Sequence, residues 1–158
     1  MKKLIIVSLF FAIFFVTKIE SSELEPGKWN FIVNDDYCYI GSTPTNTEIE
    51  KGKKRDMTYI LVYRINKNLN AIVQIEAGYP YDQKKTVEVI IDKVLYEFFS
   101  EESTPETAWT NNDKEVIFAM KKGITLIVKG YSSRGTLIID TYTLNGFTAA
   151  YNKLTKDC

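Results

Sequence analysis

Two cysteines constrain this chain more than any other feature: Cys38 lies in an early strand-like segment and Cys158 is the last residue. In an exported chain an isolated pair reads as one disulfide, the alternative being two free thiols. In the chain-entropy model a closed loop of about 120 residues stabilises the fold by about 4–5 kcal/mol, less any native strain. Such a bond would staple the last residue to the first strand region.

Export is read from the other end of the sequence. Lys2 and Lys3 precede an almost unbroken apolar run from Leu4 to Val16. A helix needs roughly 20 apolar residues to span a bilayer, and this run is shorter. A short apolar run behind a basic start predicts a secretory signal peptide over residues 1–22, the alternative being an uncleaved anchor. Ser21 and Ser22 supply the small residue before the cut. No cysteine lies near that site to carry a lipid. The remainder, 23–158, has the size of one domain. It carries 17 basic and 19 acidic side chains once Lys2, Lys3, Lys18 and Glu20 leave with the signal. That near balance argues against nucleic acid, and no polybasic cluster points to more than peripheral membrane association.

Histidine is absent from the whole sequence. This removes the commonest general base near neutral pH and the commonest metal ligand, and with them every His-dependent triad, dyad and zinc site. Two cysteines are too few for an iron–sulfur cluster. No enzyme activity, metal or cofactor is expected.

Short runs with period-two alternation fill the rest of the chain. Trp29–Val33 and Tyr37–Gly41 are strand candidates, and residues 43–56 read as an exposed loop or irregular edge. Met57–Ile65 is the clearest strand, with Met57, Tyr59, Leu61, Tyr63 and Ile65 on one face and Ile60 and Val62 on the other. Apolar residues on both faces predict a central strand. Asn66–Asn70 reads as a turn before a strand at Ala71–Glu76. Thr86–Asp92 and Val94–Phe99 form a hairpin across Asp92-Lys93. Lys93 stands where glycine or asparagine is preferred, which leaves room for a longer loop. Ile124–Tyr131 and Gly135–Leu144 form a second hairpin. Asn112 or Asp113 opens a helix that Gly123 ends, and Phe147, Ala150, Tyr151 and Leu154 mark one face of a C-terminal helix. The fold class is therefore all-β, mainly an antiparallel β-sandwich, with one or two short helices including a C-terminal one.

Few residues suggest a site. Glu101, Glu102 and Glu106 are the sole carboxylate cluster, and around Pro105 they read as a solvated loop rather than a glycosidase pair. Asp35-Asp36 lacks the spacing of a calcium loop and reads as a turn. Tyr79, Pro80 and Tyr81 are the candidate partner-binding residues, because aromatic rings on a loop stack on sugars or anchor proteins. The competing reading packs both tyrosines over the end of the sandwich. Trp29 and Trp109 read as core, and Arg134 and Asp140 are placed to pair at the surface of one hairpin.

The order and spacing of several segments resemble the invasion-associated locus B family of exported alphaproteobacterial proteins. The segments are the Trp29 strand with Cys38-Tyr-Ile-Gly-Ser, Gly78-Tyr-Pro-Tyr81, Ala108-Trp109, and a closing block of Ser133-Arg-Gly-Thr136, Asp140 to Phe147, Ala150 and Cys158. The resemblance implies a β-sandwich-like domain, periplasmic or outer-membrane associated, with an invasion label from pathogenic members. It brings no catalytic residues. Asp82-Gln83 follows the Gly-Tyr-Pro-Tyr turn where the family pattern leads one to expect a basic residue. The expected function is a non-enzymatic envelope protein that binds another envelope protein or a cell-wall component. The alternatives are a glycan-binding module, or a host-surface invasion factor, using exposed aromatic loop residues.

Overall fold

The computed structural model describes residues 24–65, 68 and 70–158. The signal segment expected over 1–22 lies outside the described residues, as do Asn66, Lys67 and Leu69 of the expected turn. In chain order the elements are β1 (Asn30–Val33), β2 (Tyr37–Ser42), β3 (Asn46–Glu48), β4 (Tyr59–Ile65), β5 (Ile72–Glu76), β6 (Val87–Ile91), β7 (Val94–Glu101), β8 (Thr104–Trp109), α1 (Asp113–Lys122), β9 (Thr125–Tyr131), β10 (Leu137–Thr143) and α2 (Phe147–Asp157). The strands form one sheet in the order β1-β2-β4-β5-β8-β7-β6-β9-β10-β3. All pairings are antiparallel.

β7 joins the two halves. It pairs with β6 from Val94 to Phe98, then its register shifts between Phe99 and Glu101 as it turns to β8. Such an irregularity bends a strand and raises its twist. One buried cluster draws on both halves, with Ile40, Ile60, Val62, Val73 and Ile75 from the first and Val87, Val89, Leu126, Val128 and Ile138 from the second. The alternation therefore makes a sandwich from one curled sheet. The segment between β2 and β3 crosses from one half to the other at a corner, where Thr45 N–H donates to Thr141 O over 2.8 Å.

The helices fill one end. Phe147, Ala150 and Leu154 bury the stripe of α2, and Trp29 meets Phe147 edge-on at 4.9 Å. The Trp29 indole N–H donates to Thr143 O over 2.9 Å, so this tryptophan is core as expected. Cys38 and Cys158 form the expected disulfide, with Cα atoms 5.9 Å apart. Beside it Arg64 is buried. Its Nε donates to Asn68 O over 2.6 Å, and its Nη1 to the Leu154 and Thr155 carbonyls over 3.2 and 3.3 Å. Those two carbonyls lack intrahelical partners at the C-terminal end of α2, where the helix dipole favours a cation.

The expected β6–β7 hairpin holds, and two other expectations change. The β6–β7 loop is two residues long, because Asp92 takes the left-handed conformation (φ 48°) and Lys93 need not. Aspartate visits that region more readily than most residues. The Asp92 carboxylate also accepts the Ile124 and Thr125 N–H groups at 3.0 Å, which lowers its pKa. The acidic stretch at 101–106 is the β7–β8 hairpin, with Glu106 inside a strand. Finally, the 43–56 segment holds β3 and a buried charge, described next.

Candidate binding cleft

At the end opposite the helices, three chain segments converge. They are residues 49–56 after β3, the Gly78-Tyr79-Pro80-Tyr81 corner after β5, and the β9–β10 turn over Ser132–Gly135. Short backbone bonds weld them together. Asp56 N–H donates to Gly78 O (3.0 Å), Ser133 N–H to Pro80 O (2.8 Å), Asp82 N–H to Tyr131 O (2.8 Å) and Tyr81 N–H to Pro105 O (2.8 Å). Gly78 has φ +70°, and a Cβ there would lie 2.4 Å from the Asp56 carbonyl oxygen. The corner can form this way only with glycine.

Beneath them lies a polar floor. Arg55 donates to both carboxylate oxygens of Asp140, through Nη1 over 2.6 Å and through Nη2 in a still shorter contact. Thr47 Oγ1 donates to Asp140 over 2.6 Å, and Arg55 also reaches Thr47 Oγ1 (2.8 Å) and Ala77 O (3.3 Å). The two side chains are only 10% and 5% exposed. Burial works against the Arg55 charge, but its bond to Asp140 outweighs burial and raises its pKa. A forked guanidinium–carboxylate pair with its remaining lone pairs satisfied is the geometry that tolerates burial.

Asp140 thus pairs with Arg55, not with Arg134, and the pair is buried rather than superficial. Arg134 stands exposed at the turn. Sequence reading missed Arg55 because it ends a Lys-Gly-Lys-Lys-Arg run that looks wholly solvated. Its partner lies 85 residues on.

The candidate tyrosines are corrected by the same geometry. Tyr79 is 9% exposed and Tyr81 2%, whereas Pro80 is exposed. The rings meet edge-on at 5.2 Å and lie over Gly130, where a Cβ would stand 2.5 Å from Tyr79 OH and Tyr81 Cε1. Burial raises both phenol pKa values, with Asp140 adding to the effect. These rings line and floor the end of the sandwich; they offer no open stacking face.

What remains open above this floor is a cleft of about 510 Å³. Tyr79, Arg55, Ile49 and Ile138 line its depth. Lys53, Lys54, Asp56, Pro80, Glu106 and Arg134 reach it from the rim. Ser132, Ser133 and Thr136 add hydroxyls. Among the described residues no group of three or more Cys, Asp or Glu side chains is placed to hold a metal.

A second surface escaped the sequence reading. On the outer face of the first half-sheet the registers bring together Ile32, Tyr37, Tyr39, Tyr59, Leu61, Tyr63, Ile65, Ile72 and Trp109. All are half-buried or exposed. Trp109, expected in the core, sits here with Tyr63 at 6.4 Å. The alternation of Met57–Ile65 was the available signal. It marks an apolar stripe but does not say which stripe faces the core.

Among curated proteins none matches the chain. A solved structure, the crystal structure of invasion associated protein B from Bartonella henselae, matches with a TM-score of 0.57 at 19% identity, covering 82% of this chain and 92% of that one. This likeness shows the fold. The sequence profile of the invasion associated locus B (IalB) proteins matches residues 33–155. That span takes in β2 with Cys38, the Gly78-Tyr-Pro-Tyr81 corner, the Arg55–Asp140 pair and most of α2, and the chain therefore belongs to the invasion associated locus B family.

Proposed function

We propose that this protein is a non-enzymatic binding module of the cell envelope, residing in the periplasm and holding its partner in the cleft at the Gly78–Tyr81 end. The observation that carries this reading is the contrast between the cleft's floor and its rim. The floor is closely hydrogen-bonded and its charges are already matched to one another, so it supplies shape. The rim presents exposed Lys53, Lys54, Arg134 and Pro80 from loops, where recognition residues concentrate on rigid scaffolds. The cleft hydroxyls of Ser132, Ser133 and Thr136 have no histidine to activate them, since the sequence contains none. Family membership and the basic-then-apolar start of the sequence support export. Among the described residues no helix is long and apolar enough to cross a membrane.

The partner is another envelope protein in this reading, and the test is photocrosslinking in living cells. A reactive analogue placed at Arg134 or Lys54 is expected to give one discrete protein adduct. The same analogue at the buried Tyr81 should give only internal products. A glycan adduct from Arg134 would move the reading to a glycan-binding module. No intermolecular adduct from either rim position would sink the cleft as the binding site.

A further inference from the structure

The outer face of the first half-sheet is separate from the cleft and has a different chemistry. β1, β2, β4, β5 and β8 present Ile32, Tyr39, Tyr63, Leu61, Ile72 and Trp109 across neighbouring strands, with Tyr37, Ile65 and Tyr59 at the ends. The same face also carries Asn30, Gly41, Gln74 and Thr107, but no Lys or Arg, and Glu76 is its one carboxylate. It sits at the corner near the cleft, opposite Tyr59, and accepts a bond from Thr107 Oγ1 over 2.9 Å. The helices contact the first half-sheet elsewhere. α2 reaches it through the inward-facing Cys38 and Arg64, and among the described residues no helix covers the outer face. Leu24 lies over Gly41, beside Leu61.

Contiguous apolar surface of this kind on an exported domain marks an interaction site. We infer that its occupant is the same face of a second copy, giving a two-fold dimer. Two features favour self-association over a different partner. An isologous contact sets each patch against a copy of itself, so a cation near its centre would lie close to its own twin. A tyrosine-rich face without cations is self-complementary, and its single carboxylate lies at the corner, away from the centre near Leu61 and Tyr63. The second feature is size. Five strands about 4.8 Å apart, four to seven residues long at about 3.3 Å each, make a platform of roughly 24 by 18 Å. With side-chain relief that is on the order of 500–600 Å² per copy, which for two copies clears the roughly 1,000 Å² in total that a specific interface needs. Tyr and Trp are also the residues that interface centres favour. Sheets packed face to face at about 10 Å would bring the two sets of rings into contact.

The test is sedimentation of the exported protein, purified with its disulfide intact, over a wide concentration range. Wild type is expected to reach twice the chain mass. Tyr39→Glu with Tyr63→Glu should weaken association at least about tenfold, as loss of two central aromatic anchors does. The milder Tyr39→Ser should weaken it less while keeping the near-ultraviolet signature of the buried tyrosines. Ile127→Glu, on the outer face of the other half-sheet, should leave it unchanged. A wild type that sediments as one chain at every concentration would overturn the inference, whatever else that face binds. So would a dimer that survives the Tyr39/Tyr63 double variant or that Ile127→Glu dissolves.

Discussion

The two ends of the curled sheet hold their shape by different means. At the helical end a covalent bond, Cys38–Cys158, does the work together with Arg64, a buried cation facing carbonyl oxygens. At the cleft end the closure is non-covalent. A buried pair, Arg55–Asp140, ties the 49–56 segment to β10, and two tyrosine rings pack onto a glycine. Arg64 needs no acid because the terminal carbonyls of α2 already carry partial negative charge. Asp140 needs Arg55 because its own surroundings are strands, whose dipoles largely cancel. The same problem, a charge inside a small domain, has two solutions set by the element each charge faces.

The largest break in this comparison should come from Asp140→Ala, which leaves Arg55 buried without a counter-charge and is expected to cost about 3–5 kcal/mol in denaturant unfolding. Adding Arg55→Met should recover part of that loss; a double variant as weak as the single one would show that the pair matters through geometry alone. At the helical end, replacing both cysteines by serine should cost about 2–5 kcal/mol, felt as a lower unfolding midpoint that reductant no longer changes. Arg64→Met should follow at about 1.5–3 kcal/mol, the range of hydrogen bonds from a charged donor. Its loss should increase hydrogen exchange in the last turn of α2 and leave the cleft end protected. If both ends loosen equally, they are not independent locks.

The smallest effects concern two carboxylates displaced in opposite directions. Asp92, near the helical end, has its pKa lowered by the Thr125 and Ile124 N–H groups. Its stabilisation is present above the unfolded value, about 4, and is lost as pH falls through the folded one. Asp92→Asn should thus lower the unfolding midpoint near neutral pH and leave it unchanged in strong acid. Glu76, at the corner by the cleft, has its pKa raised by burial, with neighbouring Glu106 adding to it. Its favourable contribution is present below the unfolded value and is lost as pH rises through the raised one. Glu76→Gln should therefore raise the midpoint near neutral pH and have no effect in acid. A comparison of midpoints at two pH values checks both signs.

Much of this architecture is legible residue by residue, because local periodicity and turn chemistry are short-range. The alternation in Met57–Ile65 marks β4, and the i, i+3, i+4, i+7 stripe from Phe147 marks α2. Where reading failed, a partner far along the chain decided the outcome. Arg55 looks solvated until Asp140 is folded beside it. Trp109 looks like core until β8 is placed with its outward residues beside those of β5. Thr104–Trp109 looks like an acidic loop because Pro105 and two glutamates mask a strand that β5 and β7 hold in place. The candidate site was legible in position but not in role. Gly78-Tyr-Pro-Tyr81 does stand at the cleft, but a glycine 49 residues beyond Tyr81, at 130, draws both rings inward.

By itself the sequence determined most of the element types, the disulfide partners and the absence of histidine chemistry. Each depends on residue identity or on neighbours within a turn or a strand. Only the tertiary structure decided which of two apolar stripes on β4 is buried, which acid Arg55 meets, and that the tyrosines of the turn face in while those of β2 and β4 face out. The physical reason is that a strand's period specifies two faces but not which is the inner one. That choice belongs to the curl of the whole sheet, and so to contacts between residues tens of positions apart.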